Sequence, residues 1–504
     1  MYRKEDPRQL SFGDFYLPFG GHLRQDNRWV ILAGQIPWQQ IEEAYGQRFS
    51  ENNGCPAKPA RMALGALIIK ERLGTSDRET VEQIRENPYL QFFLGLSEYQ
   101  DEPPFDHTMM THFRKRFDEA SLRSINEAIA LRAVEGASGD GVVPAAKGKD
   151  EDHNDNDHPC PPNKGKLLVD ATCTPADIAY PTDLSLLNEA REKSEEIIDA
   201  MHAPFMGRSK KPRTYRQKAR RLYLAVAKQK KPHPRQIRKA IGQQLRFLGR
   251  NLATIARMAE AGMLKGLGKR LYRLLLVINE LYRQQLWMYE NRTHRIPDRI
   301  VSLYQPHVRP IVRGKAKSPV EFGAKVSISL VEGFSFVERI GWDPYNESCD
   351  LIEQIEQYRK RFGWYPESVH VDKIYRTHEN RKYCKARGIR MSGPSMGRPS
   401  GEADVLKAQK KLERQDEHDR IPVEGKFGQG KRRFSLGLIM TKLAQTSEVA
   451  IMMAFIVMNL EKVLAGIIFL LCFAWRWLLA GHDDTGGPAV WIMKTRTPAM
   501  PTAA

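Results

Sequence analysis

Short apolar runs rich in β-forming residues, separated by long helical stretches, place the tightest limits on the fold of this chain. The run at 166–173 predicts a buried strand. Residues 322–330 and 333–342 alternate like the two strands of a hairpin. An amphipathic helix is predicted over 347–362, and a further strand over 368–375. The order strand, long helical segment, two strands, helix, strand predicts an α/β fold with a mixed sheet.

Two of these predicted strands contain an aspartate. Asp170 lies in the first apolar run and Asp372 in the last. A carboxylate inside an apolar strand is costly to bury, so it requires a metal ion, a cationic partner or a proton. An ordinary salt bridge to one of the many arginines is the alternative to a functional site at both positions.

The charge of the chain favours a polyanionic partner. Its 504 residues carry a formal net charge of +19, and its pI is near 9.6. Nucleic acid is therefore the first candidate and an acidic membrane surface the second. Residues 208–250 contain sixteen Lys or Arg and no Asp or Glu, which favours phosphate contact over a solvated face. A basic helix around 109–117 fits either DNA contact or plain solvation.

The cysteines and the apolar C-terminal run bear on the location of the protein. The six cysteines lie far apart, and the N-terminus resembles no secretory signal, so reduced thiols in a cytoplasm are predicted. The run at 463–480 is about long enough to cross a bilayer. We predict instead a buried C-terminal helix, because Glu461, Lys462 and Arg476 are costly at membrane depth.

The segment 419–436 resembles the third catalytic block of the DDE transposases of bacterial insertion sequences, particularly the insertion-sequence-five group. Their signature is Tyr-x2-Arg-x3-Glu-x6-Lys. Arg420, Glu424 and Lys431 stand at the matching spacings, while Glu417 occupies the tyrosine position. Residues 167–172 resemble the first aspartate strand of the family, and 371–380 with 393–399 resemble the second. The likeness extends from about residue 61 to 464.

This resemblance implies a ribonuclease H-like core, with a mixed sheet, a long basic helical insertion after the first strand and an all-helical N-terminal domain. The length independently predicts more than one domain. The predicted divisions are a helical DNA-binding or dimerisation domain at 1–135, a disordered linker at 136–165, the first part of the catalytic core at 166–183, the basic helical insertion at 184–300, the rest of the core at 301–464, and a hydrophobic helix and tail at 465–504.

The resemblance also implies a chemistry. Asp170, Asp372 and Glu424 would be the catalytic residues and would hold two Mg²⁺ or Mn²⁺ ions, which prefer carboxylate oxygens. Water would be the first nucleophile, and the freed 3′-hydroxyl the second. Five basic residues near the glutamate would contact DNA: Arg420, Lys426, Lys431, Arg432 and Arg433.

The expected partners are the double-stranded DNA of the transposon ends and of the target. Two ends must be held together, so a homodimer is expected, nucleoid-associated in a bacterial cytoplasm and without a membrane. Two alternatives stay open at this point. One is a metal-dependent nuclease without strand transfer, and the other is an inactive DNA-binding relative.

Overall fold

The computed structural model describes residues 15–17, 21–47, 49, 56–138, 162–207, 210–312, 320–394 and 403–480. Most of the predicted linker at 136–165, and the tail beyond residue 480, lie outside these ranges. The described chain is an α/β protein that combines one six-stranded mixed sheet with many helices.

The N-terminal region is helical, as the sequence predicts. Its helices end and begin at recognisable caps: Gly74 takes a left-handed conformation (φ 67°) after one helix, and the Ser76 side chain accepts a hydrogen bond from the Glu79 amide at the start of the next. The helices described in this region are α1 (Arg28–Gln35), α2 (Trp38–Gly46), α3 (Ala60–Leu73), α4 (Asp77–Glu86), α5 (Pro88–Phe93), α6 (Met109–Arg116) and α7 (Glu119–Ser138).

The sheet has the strand order β2-β3-β1-β5-β6, and β4 also pairs with β3. Strand β1 is therefore central, antiparallel to β3 on one side and parallel to β5 on the other. Strands β3 and β4 form the predicted hairpin, whose turn residues Glu332 (φ 48°) and Gly333 (φ 76°) are both left-handed. The strands are β1 (Lys166–Pro175), β2 (Arg309–Val312), β3 (Val320–Val331), β4 (Phe334–Gly341), β5 (Ser368–His370) and β6 (Arg390–Met391).

Between β1 and β2, the described residues form four α-helices that bury a hydrophobic core of their own, which includes Leu187, Leu248 and Ile278. A guanidinium lies inside this bundle: Arg191 is 1% exposed and is held by Glu195 (2.6 Å) and Gln244 (3.1 Å). Such a buried charge is tolerated because its donors have partners. The helices are α8 (Asp183–His202), α9 (Arg216–Ala227), α10 (Pro234–Glu260) and α11 (Lys269–Glu290).

The remaining helices are α12 (Leu351–Phe362), α13 (His378–Ala386), α14 (Ala403–Arg433) and α15 (Ala444–Ala480). Up to Leu464, α15 is buried between the N-terminal helices and the sheet. There Asn459 donates to the carbonyl of Ser335 (2.8 Å) and accepts a bond from its amide (2.9 Å). Helix α15 therefore joins the N-terminal helices and the sheet in one core.

The outer part of α15 does not fit the prediction of a buried C-terminal helix. Its apolar side chains at 468–471 are exposed, Phe469 by 68%. The helix has 37 residues and extends about 55 Å, and its buried part ends at Leu464 within the described residues. By length and composition alone, residues 444–472 would suffice to cross a membrane, yet the first part of this helix belongs to the protein core.

Candidate active site

Asp170 lies on the central strand β1, as predicted, and its carboxylate is half-buried. Burial raises its pKa to about 6. The amide of Ala171, which donates to Asp170 Oδ1 at 2.8 Å, and the cation of Arg420 oppose this rise, whereas the nearby charges of Glu347 and Asp372 add to it. The raised pKa of Asp170 is therefore mainly a consequence of burial, and the charges around it partly offset one another.

Asp372 lies near Asp170, just beyond the end of the neighbouring strand. In the parallel pair β1–β5, Leu168 lies opposite His370, the last residue of β5. Asp372 follows His370 by two residues, and its charge reaches Asp170. The prediction that Asp372 lies on a strand is wrong in detail, because β5 ends at His370. Asp372 instead caps a short 3₁₀ turn, accepting a bond from the Lys373 amide at 2.6 Å, and its side chain is 55% exposed.

Arg420 stands over this pair of carboxylates. Its Nη1 lies 3.6 Å from Asp372 Oδ1, and its charge also reaches Asp170. The guanidinium is 23% exposed, and its buried Nε has no hydrogen-bond partner among the described residues. Arg420 therefore supplies the positive charge that faces the two aspartates in this structure.

Glu424 follows Arg420 by one turn of α14 and is exposed. The helix runs unbroken through Pro422 and the glycines at 425, 428 and 430, although glycines disfavour a helix. Residues four and seven apart share a helix face, so Arg420, Glu424 and Lys431 point the same way. Within the described ranges, no group of three or more His, Cys, Asp or Glu residues is arranged to hold a metal ion.

Helix α14 is fixed to the sheet by Asp416, which is buried. Its carboxylate accepts two hydrogen bonds from Arg390 on β6 (2.8 and 2.9 Å) and one from the amide of Gly393 (3.2 Å). His370, at the end of β5, lies 3.7 Å away through Nδ1. This cluster sets the position of the helix that carries Arg420 and Glu424 relative to the strand end that carries Asp372.

The five predicted DNA-contacting residues occupy different environments. Arg432 is exposed, Arg433 is paired with Glu461 at 3.2 Å, and Lys431 is half-buried. Lys426 does not fit the prediction that it contacts DNA, because it is only 9% exposed and its Nζ lies 3.3 Å from the carbonyl of Gly333. Burial, aided by the charge of Lys462, lowers the pKa of Lys426 to about 8.

The basic helix around 109–117 forms as α6, but two of its cations face the protein. Arg114 donates to Asp77 at 3.1 Å. Arg116 donates to the hydroxyl of Tyr45 at 3.1 Å and lies over the ring of Phe49. These contacts favour the interpretation of α6 as a packed surface helix over that of a DNA-contacting one.

Two residues near Asp170 were not identified as site residues from the sequence. Glu347 follows the hairpin and pairs with Lys325 Nζ at 2.8 Å, and its charge faces Asp170. Tyr375 is fully buried, and its hydroxyl has no hydrogen-bond partner within the described part of the chain. Burial and the charges of Glu347 and Asp170 raise the pKa of Tyr375. Glu347 is the first residue of the predicted helix at 347–362, where no local pattern distinguishes it from a solvated acid.

Two family models match parts of this chain. Residues 369–461 match the model of the "Transposase DDE domain" family, and residues 18–116 match that of the "Transposase domain (DUF772)" family. The first match spans Asp372, Arg420 and Glu424. No solved structure gives a significant match.

A curated relative is the "Uncharacterized protein ORF8 in nfe locus" of Rhizobium meliloti. It is 35% identical over 161 residues, which is 32% of this chain and 68% of the relative. Its printed name assigns no activity. The carboxylate-bearing mixed sheet and the two family matches define a transposase class. The chain belongs to the DDE-type transposases of bacterial insertion sequences.

Proposed function

We propose that this protein binds the ends of an insertion sequence and performs metal-dependent DNA cleavage and strand transfer by the DDE mechanism. The observation that carries the proposal is the proximity of Asp170 on β1 to Asp372 just beyond β5, with Arg420 of α14 facing both aspartates. Glu424 follows Arg420 by one turn of the same helix. In this proposal the sheet is the core of a ribonuclease H-like domain, and helices α8 to α11 are its insertion.

The residues present suit divalent cations. Asp170, Asp372 and Glu424 offer hard carboxylate oxygens, the ligands that Mg²⁺ and Mn²⁺ prefer. The raised pKa of Asp170 reflects burial near like charges, a condition that a bound cation relieves. When bound, two ions would supply activation of the attacking oxygen and stabilisation of the leaving oxygen.

Arg420 has a defined part in this scheme. It pairs with Asp372 at 3.6 Å and is long enough to turn towards a phosphate from the same helix position. It would hold the scissile or a flanking phosphate beside the aspartates, together with Lys431 on the same face. Arg432 and Arg433 would add contacts to the DNA backbone. No DNA contact is proposed for Lys426, because its side chain is buried.

Basic helices between β1 and β2 would hold the remainder of the duplex. Lys218 and Arg221 on α9 and Lys228 at its C-cap are exposed and lie at spacings that share one helix face. On α10, Arg235, Lys239 and other exposed cations continue the basic surface. The same scheme includes a homodimer that holds two DNA ends in a bacterial cytoplasm.

The test is incubation of the purified protein with duplexes carrying its own element ends and Mg²⁺, with nicking and joining both measured. We expect both products. We also expect Asp170→Asn, Asp372→Asn and Glu424→Gln each to abolish cleavage while DNA affinity stays close to that of the wild type. Near-normal cutting by any of the three would remove that residue from the site.

The same assay separates the alternatives. Nicking without joined product would identify a nuclease without strand transfer. DNA binding without nicking, in Mg²⁺ or in Mn²⁺, would identify an inactive relative. Lys426→Gln serves as a control for charge removal on α14, because the position is buried and no contact with DNA is proposed for it.

A further inference from the structure

The N-terminal half of α14 carries a row of cations that the proposed chemistry does not use. Lys407, Lys410, Lys411 and Arg414 are exposed, and His418 continues the row. We call these five residues the α14 stripe. They line a shallow pocket of about 410 Å³ together with Gln415. A concave surface lined by cations suits a phosphate group better than an apolar ligand.

The α14 stripe occupies one side of the helix. At about 100° per residue, its members fall within an arc of about 100°. Asp416 and Asp419 lie on the opposite side and bind Arg390 and Lys166, so that side faces the sheet. The stripe thus faces solvent, while Arg420 and Glu424 lie on the flank between the two sides.

None of the four Lys and Arg residues of the stripe forms an ion pair with a carboxylate in the described part of the chain. Elsewhere on the helix, by contrast, Arg420, Arg433 and Lys431 have interactions within the protein. Three acids of α14 flank the stripe just outside its arc: Asp404, Glu413 and Glu417. Glu413 lies close to Gln409, which donates to it at 3.2 Å. Four clustered cations without carboxylate partners repel one another, and a polyanion removes that repulsion.

We infer that the α14 stripe binds the phosphate backbone of duplex DNA and guides the DNA towards Glu424; this inference rests on the function proposed above. A rise of about 1.5 Å per residue gives the stripe a length of about 16 Å, which matches about five base-pair steps. Measured from Glu424, it extends from about 9 Å to about 26 Å along the helix axis. The contacted phosphates would therefore lie about three to eight base pairs from the cleaved bond.

Salt dependence of binding tests this inference directly. A quadruple variant (Lys407→Gln, Lys410→Gln, Lys411→Gln and Arg414→Gln) removes the charges on an exposed helix surface, and Gln is a good helix former. The matched control is Lys407→Arg, Lys410→Arg and Lys411→Arg, which keeps the charge at the same positions. Both sets are placed in a Glu424→Gln background, in EDTA, with a generic duplex of roughly 40 base pairs.

We expect the quadruple variant to make the slope of log K against log salt shallower by about 3 to 4, since each lost phosphate contact removes about 0.9. The slope of the arginine control should differ from the wild-type slope by no more than about 0.9, the value of one phosphate contact. An unchanged slope in the glutamine variant overturns the inference and leaves an acidic protein as the partner to seek. Equal loss in the arginine control overturns it too, because charge would not be the cause.

The result of the salt-dependence experiment does not depend on whether the proposed active site is correct. The triad variants can fail to abolish cleavage while the stripe still governs the salt slope, which would refute the proposed active site alone. Conversely, an intact triad with an unchanged slope would refute the stripe alone. Circular dichroism of both variant sets checks that α14 remains folded.

Discussion

Replacing Asp170 by Asn should stabilise the metal-free protein. Burial raises the pKa of this carboxyl from 3.8 to about 6, so folding favours its protonated form. The stability of the folded state therefore falls as the pH rises from 3.8 through 6, and the penalty is complete above that range. A shift of this size lowers the free energy of unfolding by about 3 kcal/mol near pH 8 and by about half of that at pH 5.

The neutral amide of Asn keeps an oxygen that accepts the bond from the Ala171 amide, so the substitution removes mainly the charge. We expect Asp170→Asn to raise the free energy of unfolding by about 1 to 3 kcal/mol at pH 8 in EDTA, with a smaller gain at pH 5. Urea denaturation at the two pH values measures both. The matched control is Asp372→Asn, whose half-exposed carboxylate pairs with Arg420 and should give no such gain.

Added Mg²⁺ extends the same experiment. A cation that binds the folded wild type should raise its stability at pH 8 and narrow the difference from Asp170→Asn. The reasoning would be refuted if the Asn variant were no more stable than the wild type at pH 8. It would also be refuted if the gain were the same at both pH values, since a charge effect must follow the titration.

Two further predictions concern the basic residues. Lys426→Met should leave DNA affinity unchanged and stabilise the fold by up to about 3 kcal/mol near pH 7. This gain should shrink as the pH rises from 8 towards 10.5, because burial lowers the pKa of Lys426 to about 8. Weaker DNA binding by this variant would contradict the assignment of Lys426 as a buried residue. The double variant Lys218→Gln and Arg221→Gln on α9 should make the slope of log K against log salt shallower by the equivalent of about two phosphate contacts. The charge-conserving Lys218→Arg is the control. An unaltered slope in the double variant would exclude this face of α9 from the DNA interface.

The elements of the fold were largely predictable from local sequence. Alternation and a two-residue turn at Glu332 and Gly333 predicted the β3–β4 hairpin, and an amphipathic pattern predicted α12. The first and last residues of each element were less predictable. The run ending at Tyr375 gives a strand only to His370, because Asp372 caps the turn that follows.

Burial was the weaker part of the prediction, since it depends on which elements lie opposite. Lys426 sits in a basic sequence that favours DNA contact, yet the hairpin turn at Gly333 covers its ammonium. Arg114 is likewise drawn to Asp77 of another helix. Near the C-terminus, the apolar run at 463–480 predicted a buried helix, whereas its side chains at 468–471 are exposed.

The sequence alone determined that acids would stand in apolar strands, that a glutamate would follow an arginine by one helical turn, and that a long basic segment would separate the first strand from the rest. These are local properties, because they depend on periodicity, charge and spacing within short segments. Only the tertiary structure decided that β1 and β5 are neighbours, that Arg420 faces both aspartates and that Glu347 joins them. Strand pairing and helix docking bring together residues hundreds of positions apart, so the charge that surrounds Asp170 depends on the whole core.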